Sequence, residues 1–231
     1  MRHDFLKFLR CPPAAAYAVM LLLAAALPFL FPGVSRCDDA ATITSDRMKI
    51  LSKGEVNDFL GHVKLVHVGL TINSDEMKAD ERTGDTSARG DIYIFYSTGA
   101  AVTHVWGDDA KYNRGTGRGL VTGHVRVKRE LTPGTTDVIN MTCDELEIFD
   151  SGARLHAIKN VRIFKPDTDA FGSEAFYEHK SDELLLTGSP AKIKRTDGKT
   201  ISEYSGDKVH VNINTGTITI TGRVKTKVIL E

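Results

Sequence analysis

Two segments of matching pattern decide the fold: Phe59-Leu60-Gly61-His62-Val63-Lys64-Leu65 and Val121-Thr122-Gly123-His124-Val125-Arg126-Val127. Apolar residues alternate in both segments around a central glycine, and residues two apart face the same side of a β-strand. The odd-numbered residues of each segment are therefore expected to point inward, and His62 and His124 outward. No segment after residue 45 has helical spacing, so the pattern predicts strands.

The central glycine belongs to a repeat that begins with an acidic residue. A leading Asp and a later Gly are 15 residues apart in four copies: Asp46 to Gly61, Asp75 to Gly90, Asp108 to Gly123 and Asp207 to Gly222. Another copy starts at Asp144 and carries Lys159 at the Gly position, and a degraded copy runs from Glu174 to Gly188, one residue short. Repeats of 29 to 36 residues hold two or three strands with their turns.

A repeat with one apolar face needs neighbouring copies to complete an apolar interior. We therefore predict an all-β fold, a repeat-built antiparallel β-roll in which either the sheet closes on itself or two sheets face each other. Because the glycines share one phase of the repeat, we expect them where two layers lie too close for a side chain. The alternative is that each glycine simply marks a β-bulge. Pro133 and Pro166 are expected in turns, and Pro190 at a bulge or an edge.

The N-terminal segment has the pattern of an export signal, because basic residues precede an apolar stretch over residues 14–31. We predict a signal peptide over 1–35, a linker over 36–42 and the β-roll over 43–231. Gly33-Val34-Ser35 favours cleavage after Ser35. The apolar stretch is near the lower length limit of a membrane-spanning helix, so an uncleaved inner-membrane anchor is the alternative. Lipidation of Cys37 is disfavoured by the preceding Arg36.

Three elements of the sequence resemble a known family. They are Ile43-Thr44-Ser45-Asp46-Arg47-Met48, the segment 59–65 and Asn73-Ser74-Asp75-Glu76-Met77-Lys78-Ala79-Asp80. In this order they resemble the N-terminal module of the organic-solvent-tolerance (OstA-like, LptA-like) family of periplasmic lipopolysaccharide-transport proteins. The resemblance covers 43–127 and extends more loosely to Glu231. His62 and His124 stand where the family usually has Asn.

The resemblance implies a folded-over roll of jelly-roll type whose apolar interior shelters the acyl chains of lipopolysaccharide or a similar glycolipid. It also implies open strand edges that pair head to tail with LptC-like inner-membrane proteins, LptD-like outer-membrane proteins or another copy of the chain. On this interpretation the protein is a periplasmic bridge between the two membranes. If residues 14–31 are an uncleaved anchor, the chain would instead play the LptC-like part.

The inward phase supplies the residues expected to line the lipid groove: Met48, Ile50, Phe59, Val63, Leu65, Ile92, Ile94, Val121, Val125, Val127, Leu146, Ile148, Val161 and Ile163. The C-terminal strand is expected to be an uncovered edge that accepts a partner strand. Its contact residues are predicted to be Val224, Thr226, Val228 and Leu230. Lys225 and Lys227 could instead protect this edge and keep the protein monomeric.

Catalysis, metal binding and nucleic-acid binding are not predicted. The acidic residues mostly recur with the repeat, His62 and His124 occupy equivalent positions, and no Cys-x-x-Cys occurs, so we expect no catalytic residue, no metal and no cofactor. Residues 115–119 lack the Lys-Ser or Lys-Thr of a phosphate loop and are expected to form a hairpin turn. Lys and Arg number 30 against 30 Asp and Glu, which argues against nucleic acid.

Two other classes of protein compete with a lipid bridge. A β-solenoid that acts on polysaccharide would need aromatic residues in an outward cleft, and Trp106 is the single tryptophan. A structural or adhesive β-repeat protein would have the same pattern with a filled interior, so the sequence leaves it open.

Overall fold

The chain forms one antiparallel β-sheet in which strands follow each other in chain order. A computed structural model describes residues 42–67, 69–97, 102–130, 138–150, 153–178, 180–213 and 215–230. The strands are β1 Thr42–Thr44, β2 Arg47–Leu51, β3 Val56–His67, β4 Leu70–Asp80, β5 Asp85–Ser97, β6 Val102–Asn113, β7 Arg118–Glu130, β8 Val138–Phe149, β9 Arg154–Lys165, β10 Thr168–Glu178, β11 Glu183–Asp197, β12 Thr200–Asn212, β13 Thr217–Thr221 and β14 Lys225–Leu230. One 3-10 turn, Ser52–Gly54, joins β2 to β3. The prediction of an all-β antiparallel fold is confirmed.

Both ends of the sheet consist of two short strands that share one long neighbour. β1 and β2 pair with different parts of β3, and β13 and β14 pair with different parts of β12. Within the described residues the order runs from β1 to β13 without returning to its start, so the sheet has two end edges.

A line of register shifts crosses every long strand near its middle. Pairing is interrupted between Leu60 and Val63 on β3, between Asn73 and Glu76 on β4, and at equivalent places on each later strand. We call this the bend line, and its positions are Asp46, 61–62, Asp75, 90–91, Asp108, 123–124, Asp144, 159–160, Ser173, 188–190, Asp207 and 222–223.

The bend line divides the sheet into two layers that face each other. Layer 1 comprises 47–51, 56–60, 76–80, 85–89, 109–113, 118–122, 145–149, 154–158, 174–178, 183–187, 208–212 and 217–221. Layer 2 comprises 42–44, 63–67, 70–74, 92–97, 102–107, 125–130, 138–143, 161–165, 168–172, 191–197, 200–206 and 225–230. Alternate residues of both layers are buried between them, such as Val121 of layer 1 and Val125 of layer 2. The predicted inward and outward phases of 59–66 and 121–127 are confirmed, because Phe59, Val63 and Leu65 are buried while Lys64 and Val66 are exposed.

A leading aspartate carboxylate accepts a side-chain hydrogen bond at four of the six bends that the structure describes. Asp46 accepts a hydrogen bond from His62 Nδ1 at 2.8 Å, and Asp108 accepts the equivalent bond from His124 at 3.0 Å. In later copies Asn160 Nδ2 donates to Asp144 at 2.8 Å, and the Arg223 guanidinium donates to Asp207 at 2.7 Å. The donor always lies 16 residues after the Asp, so the repeat found in the sequence is the unit that forms one bend.

The glycine of the repeat has a different function from the expected one. Gly61 and Gly123 adopt φ of 78° and 80°, in the left-handed region that favours glycine, and His62 and His124 follow with φ of 45° and 48°. A Cβ on either glycine would overlap the leading Asp carboxylate on the neighbouring chain segment. The expectation that these glycines mark a close approach of two layers is therefore wrong; they make room for the Asp within the bend.

Other glycines occupy the place where the two layers meet. Gly107, Gly172 and Gly206 lie on the inner side of the bend, and a Cβ on each would come within 2.6 Å of Val121, Leu186 and Ile220 respectively. Each of these three side chains belongs to layer 1, whereas the glycines belong to layer 2. Glycine is therefore required where the two layers touch. That position lies one residue before Asp108, Ser173 or Asp207, on the strand that carries the leading residue of the bend.

The degraded copy has the same geometry once its first residue is corrected. The bend on β10 lies at Ser173, between Gly172 and Glu174, and the bend on β11 begins at Gly188. Ser173 and Gly188 are 15 residues apart, so the spacing is intact and Ser173, not Glu174, is the leading position. Pro190 follows a cis peptide bond inside this bend and Pro166 lies in the β9–β10 turn, as expected. The β6–β7 turn covers 114–117, so the last two residues of the expected 115–119 turn belong to β7.

Some expectations concern residues outside the described part of the chain. The signal peptide over 1–35, Cys37, all but the last residue of the 36–42 linker, and Pro133 lie there. In the part of the chain that the structure describes, no helix is long and apolar enough to span a bilayer.

The fold predicts a large cost for filling the space beside Asp108. Gly123→Ala places a non-glycine residue in the left-handed region and also displaces the carboxylate that binds His124. Gly198→Ala causes the same backbone strain without any displacement, since nothing lies within 4 Å of its Cβ. The overlap of the new Cβ with Asp108 Cβ and its carboxylate costs about 1–3 kcal/mol, as overpacking does, and the loss of the solvent-exposed pair adds little. Urea unfolding should therefore show Gly123→Ala to be less stable than Gly198→Ala by at least about 1 kcal/mol. Equal losses would contradict the assigned function of the bend.

Candidate functional site

The inner faces of the two layers are the candidate site, and each presents its side chains in rows that run across the strands. In layer 1 the row at the free margin consists of Ala79, Thr86, Tyr112, Gly119, Ile148, Leu155, Tyr177, Leu184, Val211 and Ile218. We call this row the layer 1 lip. It contains no charged residue over the ten strands from β4 to β13.

Layer 2 has an apolar middle row and a different lip. Its middle row consists of Leu65, Ile72, Ile94, Val105, Val127, Met141, Ile163, Ala170 and Ile193. Two residues further from the bend lies the layer 2 lip, which consists of Leu70, Tyr96, Thr103, Arg129, Ile139, Lys165, Thr168, Arg195 and Ser202. Cations therefore occur on one lip and not on the other.

The structure places all fourteen predicted groove residues on the inner faces, at three degrees of exposure. Eight are buried in two core clusters, with Phe59, Val63, Leu65 and Ile92 in one and Val121, Val125, Leu146 and Val161 in the other. Ile94, Val127, Ile148 and Ile163 are partly exposed. Met48 and Ile50 are 51% and 64% exposed. They belong to β2, whose only partner among the described strands is β3.

The predicted partner edge also lies on the inner phase. Thr226 and Val228 pair with Tyr204 and Ser202 of β12, and Leu230 pairs with Thr200. Val228 is 58% exposed, and Val224 precedes β14 in an exposed position. The C-terminal end thus matches the N-terminal end, since both leave inner-face apolar side chains uncovered.

A polar bridge joins the two lips between β7 and β10. The Arg129 guanidinium of layer 2 lies 5.9 Å from the centre of the Tyr177 ring of layer 1. The Tyr177 hydroxyl donates to Asp182 Oδ1 at 2.8 Å. Burial and this hydrogen bond raise the pKa of Tyr177 to about 12, so the hydroxyl keeps its proton at neutral pH. Sequence reasoning missed this bridge because Arg129 and Tyr177 are 48 positions apart and meet only when the layers fold together.

The outer face of layer 2 carries the single tryptophan in an aromatic cluster. Trp106 lies 5.8 Å from His104 and 5.6 Å from Tyr93, measured between ring centres, and the Arg126 guanidinium lies 5.5 Å above the Trp106 ring. Tyr93 and His104 also share a hydrogen bond of 2.9 Å. Aromatic pairs across neighbouring strands stabilise a sheet, so the cluster has a structural explanation.

The remaining candidate residues have structural partners. His62 and His124 are exposed, as expected, and bind the Asp of their own bend. Cys143 is buried in the core, and burial raises the pKa of its thiol to about 11, which keeps it unreactive. Among the described residues, no group of three or more His, Cys, Asp or Glu side chains could hold a metal ion.

Comparison with known proteins found a likeness among solved structures. No protein-family model and no curated protein matches the chain. Among solved structures, the chain is similar to the crystal structure of LptH, the LptA homologous periplasmic component of the lipopolysaccharide transport device of Pseudomonas aeruginosa. The two share 14% sequence identity with a TM-score of 0.44, over 70% of this chain and 94% of LptH.

The His62–Asp46 pair predicts a measurable shift in acidity. Hydrogen bonding to Asp46, together with its charge, raises the pKa of His62 above 6.5. A raised pKa in the folded state means that the pair stabilises the fold at acid pH and that this contribution is lost as the pH rises through the folded pKa. An NMR titration should find the His62 pKa lower in Asp46→Asn than in the wild type. Asp108→Asn, at an equivalent bend, should leave it unchanged; an identical His62 pKa in all three proteins would refute the pairing.

Proposed function

We propose that the protein is a periplasmic carrier that binds lipopolysaccharide, shields its acyl chains between the two layers and bridges the inner and outer membranes. One observation carries the proposal: within the part of the chain that the structure describes, the apolar inner face continues without a polar cap to both end edges of the sheet. Met48 and Ile50 are exposed at one end, and Ile218 and Val228 at the other. Terminal repeats of stacked β-proteins normally need a polar outer face for solubility, so uncapped ends indicate surfaces that are covered in use.

The inner face has the chemistry of a site for alkyl chains. The middle row of layer 2 is apolar in nine consecutive strands, β3 to β11, which at about 4.8 Å per strand spans roughly 40 Å. Burial of a CH₂ group is favourable by about 0.8 kcal/mol and needs no directed contact, so an alkyl chain can be held at any position along such a row. A row of this kind favours a flexible apolar ligand over a small rigid one.

Lipopolysaccharide and the periplasm enter the proposal through the sequence. The elements at 43–48, 59–65 and 73–80 resemble the OstA-like family, and residues 1–35 have the pattern of an export signal. LptC-like and LptD-like proteins, or a second copy of the chain, are the partners that this resemblance implies. They would pair with β1 and β2 at one end and with β13 and β14 at the other.

A structural or adhesive β-repeat protein is the second candidate, and the packing near the bend favours it. Val63 and Val125 are each 1% exposed, so the deepest part of the interior is filled by the protein's own side chains. On the carrier proposal, acyl chains occupy the middle row of layer 2 and the two lips, and reach the deep residues only when the layers separate. The two functions therefore differ in whether the middle row ever contacts lipid.

Photo-crosslinking in cells tests the carrier proposal. Benzoylphenylalanine at Val127 or Ile163, in the partly exposed middle row, should label lipopolysaccharide, because these side chains face the space between the layers. The matched controls are Arg126 and Arg162, which are adjacent in sequence and face the outside. Labelling from the inner positions alone supports the carrier, whereas no labelling from either inner position supports the structural alternative.

The end edge predicts strand addition by a partner. Along an edge strand, backbone N–H groups point alternately to the neighbouring strand and to solvent. Of the variants Lys227→Pro and Val228→Pro, one therefore removes a hydrogen bond to β12 and the other removes an N–H donor from the free edge. The variant that keeps the wild-type urea midpoint should show weakened end-to-end association in sedimentation, because its free edge has lost a donor. If the wild type is monomeric at high concentration and binds no LptC-like or LptD-like domain, Lys225 and Lys227 protect the edge and the bridge proposal fails.

A further inference from the structure

Three strands of layer 2 share a polarity gradient that runs from the bend to the lip. On β7 the inner-face residues are Val125, Val127 and Arg129, on β9 they are Val161, Ile163 and Lys165, and on β11 they are Ala191, Ile193 and Arg195. The first residue of each column is buried, the second is apolar and packs on the core, and the third is a cation. Each column therefore changes from apolar near the bend to charged at the lip, although all three of its side chains point to the inner face.

The three cations form a row because the register of the strands aligns them. Thr168 of β10 pairs with both Lys165 and Arg195, and Ile139 of β8 pairs with Arg129. Strands are spaced by about 4.8 Å, so cations on alternate strands lie roughly 10 Å apart. Asp197 follows two residues after Arg195 on the same phase, so the described part of this lip carries a carboxylate beside the cations.

One nitrogen of the Arg129 guanidinium lacks a hydrogen-bond acceptor. Its Nε is buried and has no hydrogen-bond partner among the described residues. A buried polar group without a partner costs about 1–3 kcal/mol, more for a charged one, so such a group in a native protein needs an explanation. A ligand with an anionic oxygen at the lip would supply the acceptor.

We propose that Arg129, Lys165 and Arg195 form a headgroup site for an amphipathic lipid that carries phosphate or carboxylate, with its alkyl chains against the apolar columns below. The inference rests on the proposed function, because it requires alkyl chains between the layers, and it adds the charge and the orientation of the ligand. The anionic group lies at the layer 2 lip, and the uncharged layer 1 lip covers the chains. Guanidinium groups suit this task because they bind phosphate and carboxylate in two-point contacts.

Calorimetric titration with three probes tests the site. The probes are dodecyl phosphate, dodecyl maltoside and inorganic phosphate, each below any micelle-forming concentration and at low salt. We expect the phosphate-headed alkyl probe to bind most tightly, the maltoside more weakly and inorganic phosphate not at all at these concentrations, because the apolar columns and the cations contribute together. Binding of inorganic phosphate as tight as that of dodecyl phosphate would overturn a lipid headgroup site in favour of a free-phosphate site.

Matched variants on the same strands identify the residues. Arg195→Gln and Lys165→Gln should each weaken dodecyl phosphate binding about tenfold and leave dodecyl maltoside unaffected, since a charged hydrogen bond is worth about that much. Lys194→Gln and Lys128→Gln remove outward cations next to Arg195 and Arg129, and should change neither probe. Arg195 is exposed, so its replacement leaves the core intact even if Arg129→Gln disturbs the bridge to Tyr177.

The outcomes separate this inference from the proposed function. If neither alkyl probe binds, alkyl chains do not enter between the layers, and both proposals fail. If both alkyl probes bind with equal affinity in the wild type and in the inner-face variants, the carrier proposal stands and the headgroup site is wrong. Equal weakening by the inner-face and outer-face variants would show general charge attraction and would also overturn the site.

Discussion

The contact between an Asp carboxylate and the residue 16 positions later is the constraint on which the rest of the structure depends. Two successive left-handed residues, such as Gly61 and His62, insert extra chain opposite a single residue of the neighbouring strand. The carboxylate accepts a hydrogen bond from the second of them and fixes the bend. The contact recurs at the same distance along the chain in four bends, and the register shift recurs on every long strand, so the bends align and the sheet folds along one line.

Alternation and spacing in the sequence were enough to predict the inner phase and the repeating unit, because both depend on local geometry. The sequence does not show why each glycine is required, because a left-handed bend and a close contact between layers both select glycine. Gly61 serves the first purpose and Gly107 the second. Glu174 was mistaken for the leading residue because it is acidic, whereas Ser173 occupies the bend.

The cations of the layer 2 lip are harder to predict from the sequence than the apolar rows. A basic residue at the end of a strand, such as Arg195, has the usual appearance of a solvent-exposed terminus. Only the pairing of Thr168 with Lys165 and Arg195 shows that these cations share a face with Ile163 and Ile193. The two layers are thus chemically unequal, although they come from the same strands: the side of the bend on which a segment lies determines whether its margin is charged.

Neighbours in the sheet are also neighbours in the chain, from β3 to β12. Each pair of long strands carries its own bend and contacts only the pair before and the pair after it, so a pair can be duplicated or deleted without disturbing any other bend. The length of the sheet can therefore change during evolution in steps of two strand widths. The number of strand pairs therefore sets the distance over which the apolar inner face extends.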